Sequence, residues 1–358
     1  MRRTAALIVG GGPAGSAAAI GLARRGITPL LIERDATPKD ALCGGFLSWA
    51  TIDRLRALGI DAAALGGHRI ERLALFAGTR HAEAPLPAPA AGLSRGTLDA
   101  ALLERARAAG AGIERGVTAR RWDDGAIAID GGTRIEADAV LLATGKHELR
   151  GLARPRGDTI GLRFRLEPSA ALTRLLAGRI ELHLFRGGYA GLLLQEDGAA
   201  NLCLAARTSR LDEAEGRPER LLATIASEIP ALADRIGAAA AIGTAQAIAN
   251  IPYGWHAATT EPGLFRIGDQ AGVIPSLAGE GIAIALASGS AAADAIGRGN
   301  AAAICQARIA ARLRRPIGVA SAVWHAAEHR AGAQALVTAT RLAPGLAALV
   351  ARLTRVTA

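Results

Sequence analysis

Gly10, Gly12 and Gly15 stand in a G-x-G-x-x-G spacing inside LIVGGGPAGSAAAIGLARRGITPLLIE, residues 7–33. That spacing fits phosphate chemistry. Gly10 permits a tight strand-to-helix turn, Gly12 lets backbone approach a pyrophosphate, and Gly15 lets helix and strand pack closely. The helix opening at Pro13 and Ala14 offers free N–H groups and a partial positive charge to the phosphates. Glu33 ends the second apolar run, where a carboxylate accepts from ribose hydroxyls, with Arg34 beside it. Strand, glycines, helix, strand and acid in that order imply an adenine dinucleotide.

A second group of residues points to which dinucleotide. Gly268 and Asp269 follow an apolar run, placing a carboxylate where ribityl hydroxyls would reach it. A helix then begins at Gly279, Gly281 and Ile282, its N-terminus suited to the negative charge that a flavin gains at N1 and C2=O on reduction. Ala143-Thr144-Gly145 closes another strand-like run. Together these imply FAD. One fingerprint leaves no second unit for a nicotinamide domain, so NAD(P)H is expected to act only as a transient electron donor.

These motifs must be positioned by an α/β fold. The spacing predicts strands near 5–10 and 29–33 around a helix at 14–26, then a helix at 48–58. Strand-like alternation covers 70–84, and the Pro-rich stretch 84–92 reads as a connector. A helix over 97–109, capped by Ser94 or Thr97, precedes strands near 113–122, 126–130 and 133–143. Residues 158–206 alternate as an antiparallel sheet. Helices at 217–227 and 231–238, a strand at 242–249 and another at 264–268 follow. Helices fill the remainder at 279–297, 300–331 with a break or kink at Pro316, and 333–355. The expected organisation is a discontinuous Rossmann-like FAD-binding domain (1–65, 93–150 and 262–298). Inserted in it is an α+β substrate domain built on an antiparallel sheet (66–92 and 151–261), and a helical C-terminal segment (299–358) ends the chain.

Composition narrows the function further. The 358 residues are half apolar and lack low-complexity tracts, as in an ordinary globular protein. The net charge is +10, yet only Lys39 and Lys146 are lysines and the arginines are spread throughout, which argues against nucleic-acid binding. The densest basic cluster, Arg308 to Arg315, reads as a solvated helix face. Cys43, Cys203 and Cys305 are scattered, excluding a disulfide framework or zinc site and suiting a reducing cytoplasm. His68, His81, His183, His256, His325 and His329 lack ligand spacing, so no metal is expected.

On these motifs the chain resembles the p-hydroxybenzoate hydroxylase superfamily of flavoproteins, and within it the geranylgeranyl reductase branch, over nearly all of residues 1–300. The resemblance implies that Arg95, in Ser94-Arg95-Gly96-Thr97-Leu98-Asp99, lies near the pyrophosphate or ribityl chain. GDQAGVIPSLAGEGI (268–282) is similar to the family's GDAAG-x-x-x-P-x-x-G-E-G-I, with Pro275 one place early and Ser276 at the family's proline position. The loop Leu42-Cys43-Gly44-Gly45-Phe46 resembles one that approaches the isoalloxazine ring, which makes Cys43 a proton donor or polar contact, or else a small packed residue. Gly187-Gly188-Tyr189-Ala190-Gly191 resembles a substrate-lining G-G-Y-x-W strand. Tyr189 is thereby implied as a catalytic or substrate-binding residue, while Gly191 replaces the Trp and reshapes the pocket. Tyr253 and Trp255 wall the flavin or substrate, or pack. Lys146, His147 and Arg150 occupy the place of the hydroxylases' Asp-Gly motif, as cofactor or substrate contacts or as an exposed loop. The W-x-W-x-I-P motif and catalytic Lys of halogenases are not evident.

The resemblance implies an FAD-dependent oxidoreductase reducing C=C bonds in an apolar prenyl or polyketide-like substrate, with an FAD monooxygenase as the alternative. The C-terminal helices, apolar on one side and Arg-bearing on the other, would close the pocket, pair with a subunit or rest on the inner membrane face as a peripheral contact.

Overall fold

The two N-terminal apolar runs become buried strands β1 (Arg2–Val9) and β2 (Leu30–Glu33), joined by helix α1 (Pro13–Ala23). The computed structural model describes residues 2–123 and 125–356. Pro13 starts α1 without forfeiting a hydrogen bond, since the first helical N–H groups have no partner within the helix. Strand β3 (Phe46–Leu47) and helix α2 (Trp49–Leu58) follow, then the long strands β4 (His68–Ala77) and β5 (Arg80–Gly92). Helix α3 (Arg95–Ala108) leads to β6 (Gly112–Arg115), β7 (Ala119–Asp123), β8 (Ala126–Ile129) and β9 (Arg134–Leu142). Next come β10 (Thr159–Leu166), α4 (Ala170–Leu176), β11 (Arg179–Phe185), β12 (Gly188–Leu194) and β13 (Ala200–Arg207). Helices α5 (Thr208–Glu213), α6 (Pro218–Glu228) and α7 (Pro230–Ala238) precede β14 (Gln246–Ile251) and β15 (Leu264–Arg266). Four helices close the order: α8 (Gly281–Gly297), α9 (Ala302–Ala327), α10 (Arg330–Leu342) and α11 (Pro344–Leu353).

Two sheets organise these elements. The seven-stranded sheet runs β6-β2-β1-β9-β8-β7, with β15 also pairing β9. Its Rossmann part is parallel and the β7–β8–β9 edge antiparallel. The eight-stranded sheet runs β14-β10-β13-β12-β11-β4-β5-β3. It is antiparallel except where β4 and β11 pair in parallel, so the sheet expected to be purely antiparallel is mixed. Small residues let α1 and α8 approach closely: a Cβ on Gly289 would lie 2.3 Å from the Ala14 carbonyl oxygen, and one on Gly21 would lie 2.7 Å from the Ala293 side chain.

Several expectations are corrected. The 84–92 stretch is not a connector but the second half of β5. Its register to β4 skips between Ile70 and Arg72, so Pro87 and Pro89 sit where no ladder N–H is demanded. The strand expected at 242–249 lies at Gln246–Ile251, and α4 and α5 had no counterpart in the sequence reading. Of the break or kink expected at Pro316 in α9, the break does not occur, because burial of Leu313, Pro316, Ile317 and Ala320 outweighs a lost hydrogen bond and ring clash of about 3 kcal/mol. The helix expected over 333–355 is instead the pair α10 and α11, bent by 112°. Pro344 occupies the first turn of α11, where a proline is tolerated.

Candidate functional site

The glycine turn between β1 and α1 is a cradle that side chains would fill. Gly10 has φ 111°, and a Cβ there would sit 2.5 Å from the Ala143 carbonyl oxygen. One on Gly15 would sit 1.9 Å from the Gly10 oxygen, so Gly15 serves strand–helix contact and lies behind the cavity surface. Gly12 occupies the N-cap of α1 with no side chain capping the helix, and since Pro13 has no N–H, the first-turn donors left free for an anion begin at Ala14. The Glu33 carboxylate accepts from Gly11 N (2.7 Å) and Asp35 N (2.9 Å), holding both strand ends in register around the turn. Each oxygen keeps a lone pair for a ribose hydroxyl. Arg34 contacts His147 at 2.7 Å.

Arg95 reaches the same turn from the start of α3. Its Nη2 would lie 3.3 Å from a Cβ on Gly12. Asp99 accepts from Nε (2.8 Å) and Nη2 (2.6 Å), fixing the guanidinium plane. Burial opposes the charge of Arg95, but Asp99 more than offsets it and the pKa lies above the ordinary arginine value. Ser94 caps α3 through Thr97 N (3.1 Å). Glu196, from the β12–β13 hairpin, accepts from Ser94 N (2.8 Å), Ser94 Oγ and Thr97 Oγ1 (both 2.5 Å). Glu196 escaped the sequence reading because its partners lie a hundred residues away.

On the opposite side, Gly268 N donates to Ser288 Oγ (2.8 Å) and Asp269 faces the cavity. Lys146 donates to Asp269 at 3.1 Å, so the lysine after Ala143-Thr144-Gly145 is a partner of Asp269 rather than an exposed loop residue. Burial alone would raise the Asp269 pKa, but Lys146, with Arg154 and Arg95, brings it below the usual carboxylate value. Gln270, the residue that varies within GDQAG, donates to the carbonyls of Gly145 (3.0 Å) and His147 (3.1 Å) and ties the two loops together. Gly279, φ 67°, turns the chain under Phe46, and Gly281 and Ile282 open α8 with no side-chain cap. Pro275 is buried behind the surface while its neighbour Ser276 faces the cavity. Arg150 is exposed on the rim.

These groups line one cavity of about 1600 Å³. A single small-molecule site occupies roughly 300–1,000 Å³, so the space holds a dinucleotide with a substrate beside it. The end away from the phosphates is apolar, walled by Leu75, Leu182, Leu184 and Leu336. Gly191, Tyr189 and Tyr253 lie on that wall. Trp255 does not: it lines a separate recess with Arg154 over its ring at 5.9 Å, because its backbone pairs with Val273 on the far side of the loop. Cys43, Gly44 and Gly45 line the junction between the two ends. The Cys43 carbonyl accepts from Asn201 Nδ2 (2.8 Å) and Cys203 Sγ (3.0 Å), and Arg163 holds Asp40 at the base of the same loop. Burial pushes the Cys203 thiol up to about 12, which keeps it protonated. Among the described residues no His, Cys, Asp and Glu cluster suits a metal.

Two uncapped helix N-termini, a glycine cradle that any Cβ would obstruct, a bidentately fixed arginine and two inward carboxylates fit an FAD. The fold and site thus define a Rossmann-type flavin-binding protein. The FAD binding domain family matches residues 3–134. No curated protein matches the chain significantly. Among solved structures, the flavin-dependent brominase Bmp2 aligns with TM-score 0.80 at 18% identity, over 98% of this chain and 93% of its own. A geranylgeranyl bacteriochlorophyll reductase-like protein from Thermoplasma acidophilum aligns with TM-score 0.75 at 19% identity, over 100% of this chain and 94% of its own. PqsL, a probable FAD-dependent monooxygenase from Pseudomonas aeruginosa, aligns with TM-score 0.72 at 17% identity, over 94% and 99%. Residues 3–134 thus match an FAD-binding domain, and the whole chain shares the fold of these flavin enzymes.

Proposed function

We propose that the protein is an FAD-dependent reductase of a C=C bond in an apolar prenyl or polyketide-like substrate, with NAD(P)H as transient donor. The observation that carries this reading is the apolar wall bearing protonated hydroxyls and a thiol but no free lysine. Saturating a double bond consumes a hydride and a proton. Bound FAD, once reduced, supplies the hydride. Tyr189, Tyr253 and Cys43 line the space where the proton is needed. Burial raises the pKa of both phenols, so they stay protonated and act as donors. Lys39 is held by Asp35 (2.7 Å) and Lys146 by Asp269, which disfavours the lysine-dependent chemistry of halogenases.

Anaerobic reaction of the reduced holoenzyme with apolar alkenes tests this reading. The product should gain two hydrogens without oxygen being present. A product that gains one oxygen, and forms only in air, would establish the alternative monooxygenase instead.

We further propose that α10 and α11 rest on an anionic bilayer surface at the cavity mouth. Leu342, Leu346 and Leu349 are 76%, 50% and 49% exposed, and Leu346 also lines the cavity. Exposed Arg341 and Arg352 flank them in the chain, and exposed Arg330 opens α10, with no Asp or Glu between 330 and 356. Apolar side chains ringed by arginine complement acyl chains beneath anionic headgroups. Among the described residues no single helix is long and apolar enough to cross a membrane.

A further inference from the structure

Three hydroxyls from three separate elements meet at the apolar end of the cavity. Tyr189 on β12 donates to Ser276 Oγ at 2.8 Å, and Tyr253, after β14, shares a hydrogen bond with the same oxygen. Ser276 sits in a 3₁₀ turn before α8 and is open to the cavity. Trp324 of α9 braces both rings edge-on, with centroids 6.1 Å from Tyr189 and 5.4 Å from Tyr253. The rings are therefore fixed by packing before any ligand arrives.

A hydrogen count gives this corner its chemistry. Three hydroxyls carry three hydrogens, and the two bonds among their oxygens use two. Whichever way the shared bond points, one hydrogen is left over, on Tyr253 or on Ser276. Among the described residues no other side chain takes it, and Leu75, Leu182, Leu184 and Leu336 pack in the same cluster as the two rings. Ser276 is exposed to the open cavity, so water serves this hydrogen until an apolar ligand displaces it, and a ligand oxygen placed against it then avoids the cost of an unpaired donor.

We infer that the substrate's double bond is conjugated to a carbonyl whose oxygen accepts this hydrogen from the Tyr253–Ser276 pair. The inference rests on the reductase reading and narrows its substrate to an apolar enone. An isolated alkene offers an incoming hydride no place for the displaced electron pair. In an enone, a hydride of the kind bound, reduced FAD would supply adds at the β-carbon while the π pair moves to the carbonyl oxygen. The hydroxyl pair stabilises the negative charge there. A proton, taken ultimately from water, then adds at the α-carbon and restores the carbonyl, giving the saturated ketone. Ser276 is thus a substrate-binding residue, and Trp324 and Tyr189 position the donor.

The test compares an apolar enone with its non-conjugated alkene isomer on FAD-loaded, chemically reduced enzyme without oxygen, following flavin absorbance and product mass. The enone should reoxidise the flavin on the order of a hundredfold faster than the isomer. Tyr253→Phe and Ser276→Ala should each lower kcat/KM for the enone by on the order of ten- to a hundredfold. Independently of turnover, the carbonyl stretch of the bound saturated ketone should fall in the wild type and recover in both variants. Tyr253→Phe keeps the ring against Trp324, so a folding defect is not expected to mimic the result. Equal rates on the two isomers, or a carbonyl stretch indifferent to both substitutions, would overturn the inference while leaving a reductase. A product that gains oxygen, with no anaerobic turnover, would fail the reductase reading itself and be recognised by its mass.

Discussion

Gly10 leaves no room for any other residue. Its φ of 111° and the Ala143 oxygen 2.5 Å from a notional Cβ add a clash to a strained backbone, a combination of about 1–3 kcal/mol or more. Gly10→Ala should therefore lower Tm and lose most of its FAD on purification, read from the flavin-to-protein absorbance ratio. A variant that keeps both would refute the cradle. His183 poses a different residue-scale question. It is fully buried on the back of the large sheet, stacked on Phe76 at 4.6 Å and bonded to Glu181 through Nε2, while Nδ1 has no partner. Burial lowers its pKa despite the pull of Glu181. The unfolded chain then binds this proton more readily than the folded one. Stability is fully present above the unfolded histidine value of about 6.5 and is lost as pH falls below it toward the lower folded value. Melting from pH 7.5 to 5.5 should show falling Tm, and His183→Gln should flatten that slope. An identical slope in the variant would exclude His183 as its source.

At the scale of elements, α3 links the eight-stranded sheet to the glycine turn. Its first turn carries Arg95 and is capped from outside by Glu196 of the β12–β13 hairpin. Glu196→Ala should cost about 1 kcal/mol, typical of a lost cap. It should also weaken FAD binding several-fold without unfolding the protein, as fluorescence titration of the apoprotein would show. Unchanged affinity would separate the cap from Arg95. The same helix separates what is legible in the sequence from what is not. Ser94 was legible as a cap because its partner is three residues away, whereas Glu196 was not because nothing local relates the two. The glycine fingerprint and its flanking strands were legible for the same local reason. The prolines of β5 misled because the register skip that accommodates them is set by β4. Pro316 does not break α9 because buried packing outweighs propensity. The Tyr189–Ser276–Tyr253 corner gathers residues from three elements: each tyrosine was singled out by itself and Ser276 as a departure, but nothing local brought the three together.

The whole molecule is two sheets sharing one cavity, with α10 and α11 over its mouth. Sedimentation with vesicles tests whether that end meets lipid. Binding should require anionic lipid, weaken with salt, and fall severalfold when Leu342, Leu346 and Leu349 are together replaced by Ser. Equal binding to neutral vesicles, or none to either, would exclude an anionic surface as the partner. Substrate chemistry was the least legible property at this scale, because the cavity's apolar end is assembled from β4, β11, β12 and α10, far apart in the chain. The C-terminal stretch is fastened to the flavin-facing end by Arg355. It bonds the buried Glu280 at the start of α8 and lies 4.5 Å over the Trp49 ring, while Arg54 donates to the Val356 carbonyl (2.9 Å). Residues near 10 and near 355 must therefore meet around one helix. During synthesis at roughly 5–20 residues per second, that wall arrives on the order of ten to fifty seconds after Arg95. The glycine turn and Arg95 are thus made long before the segment that fastens the far wall, so the site is completed in order, cofactor turn first and closing wall last.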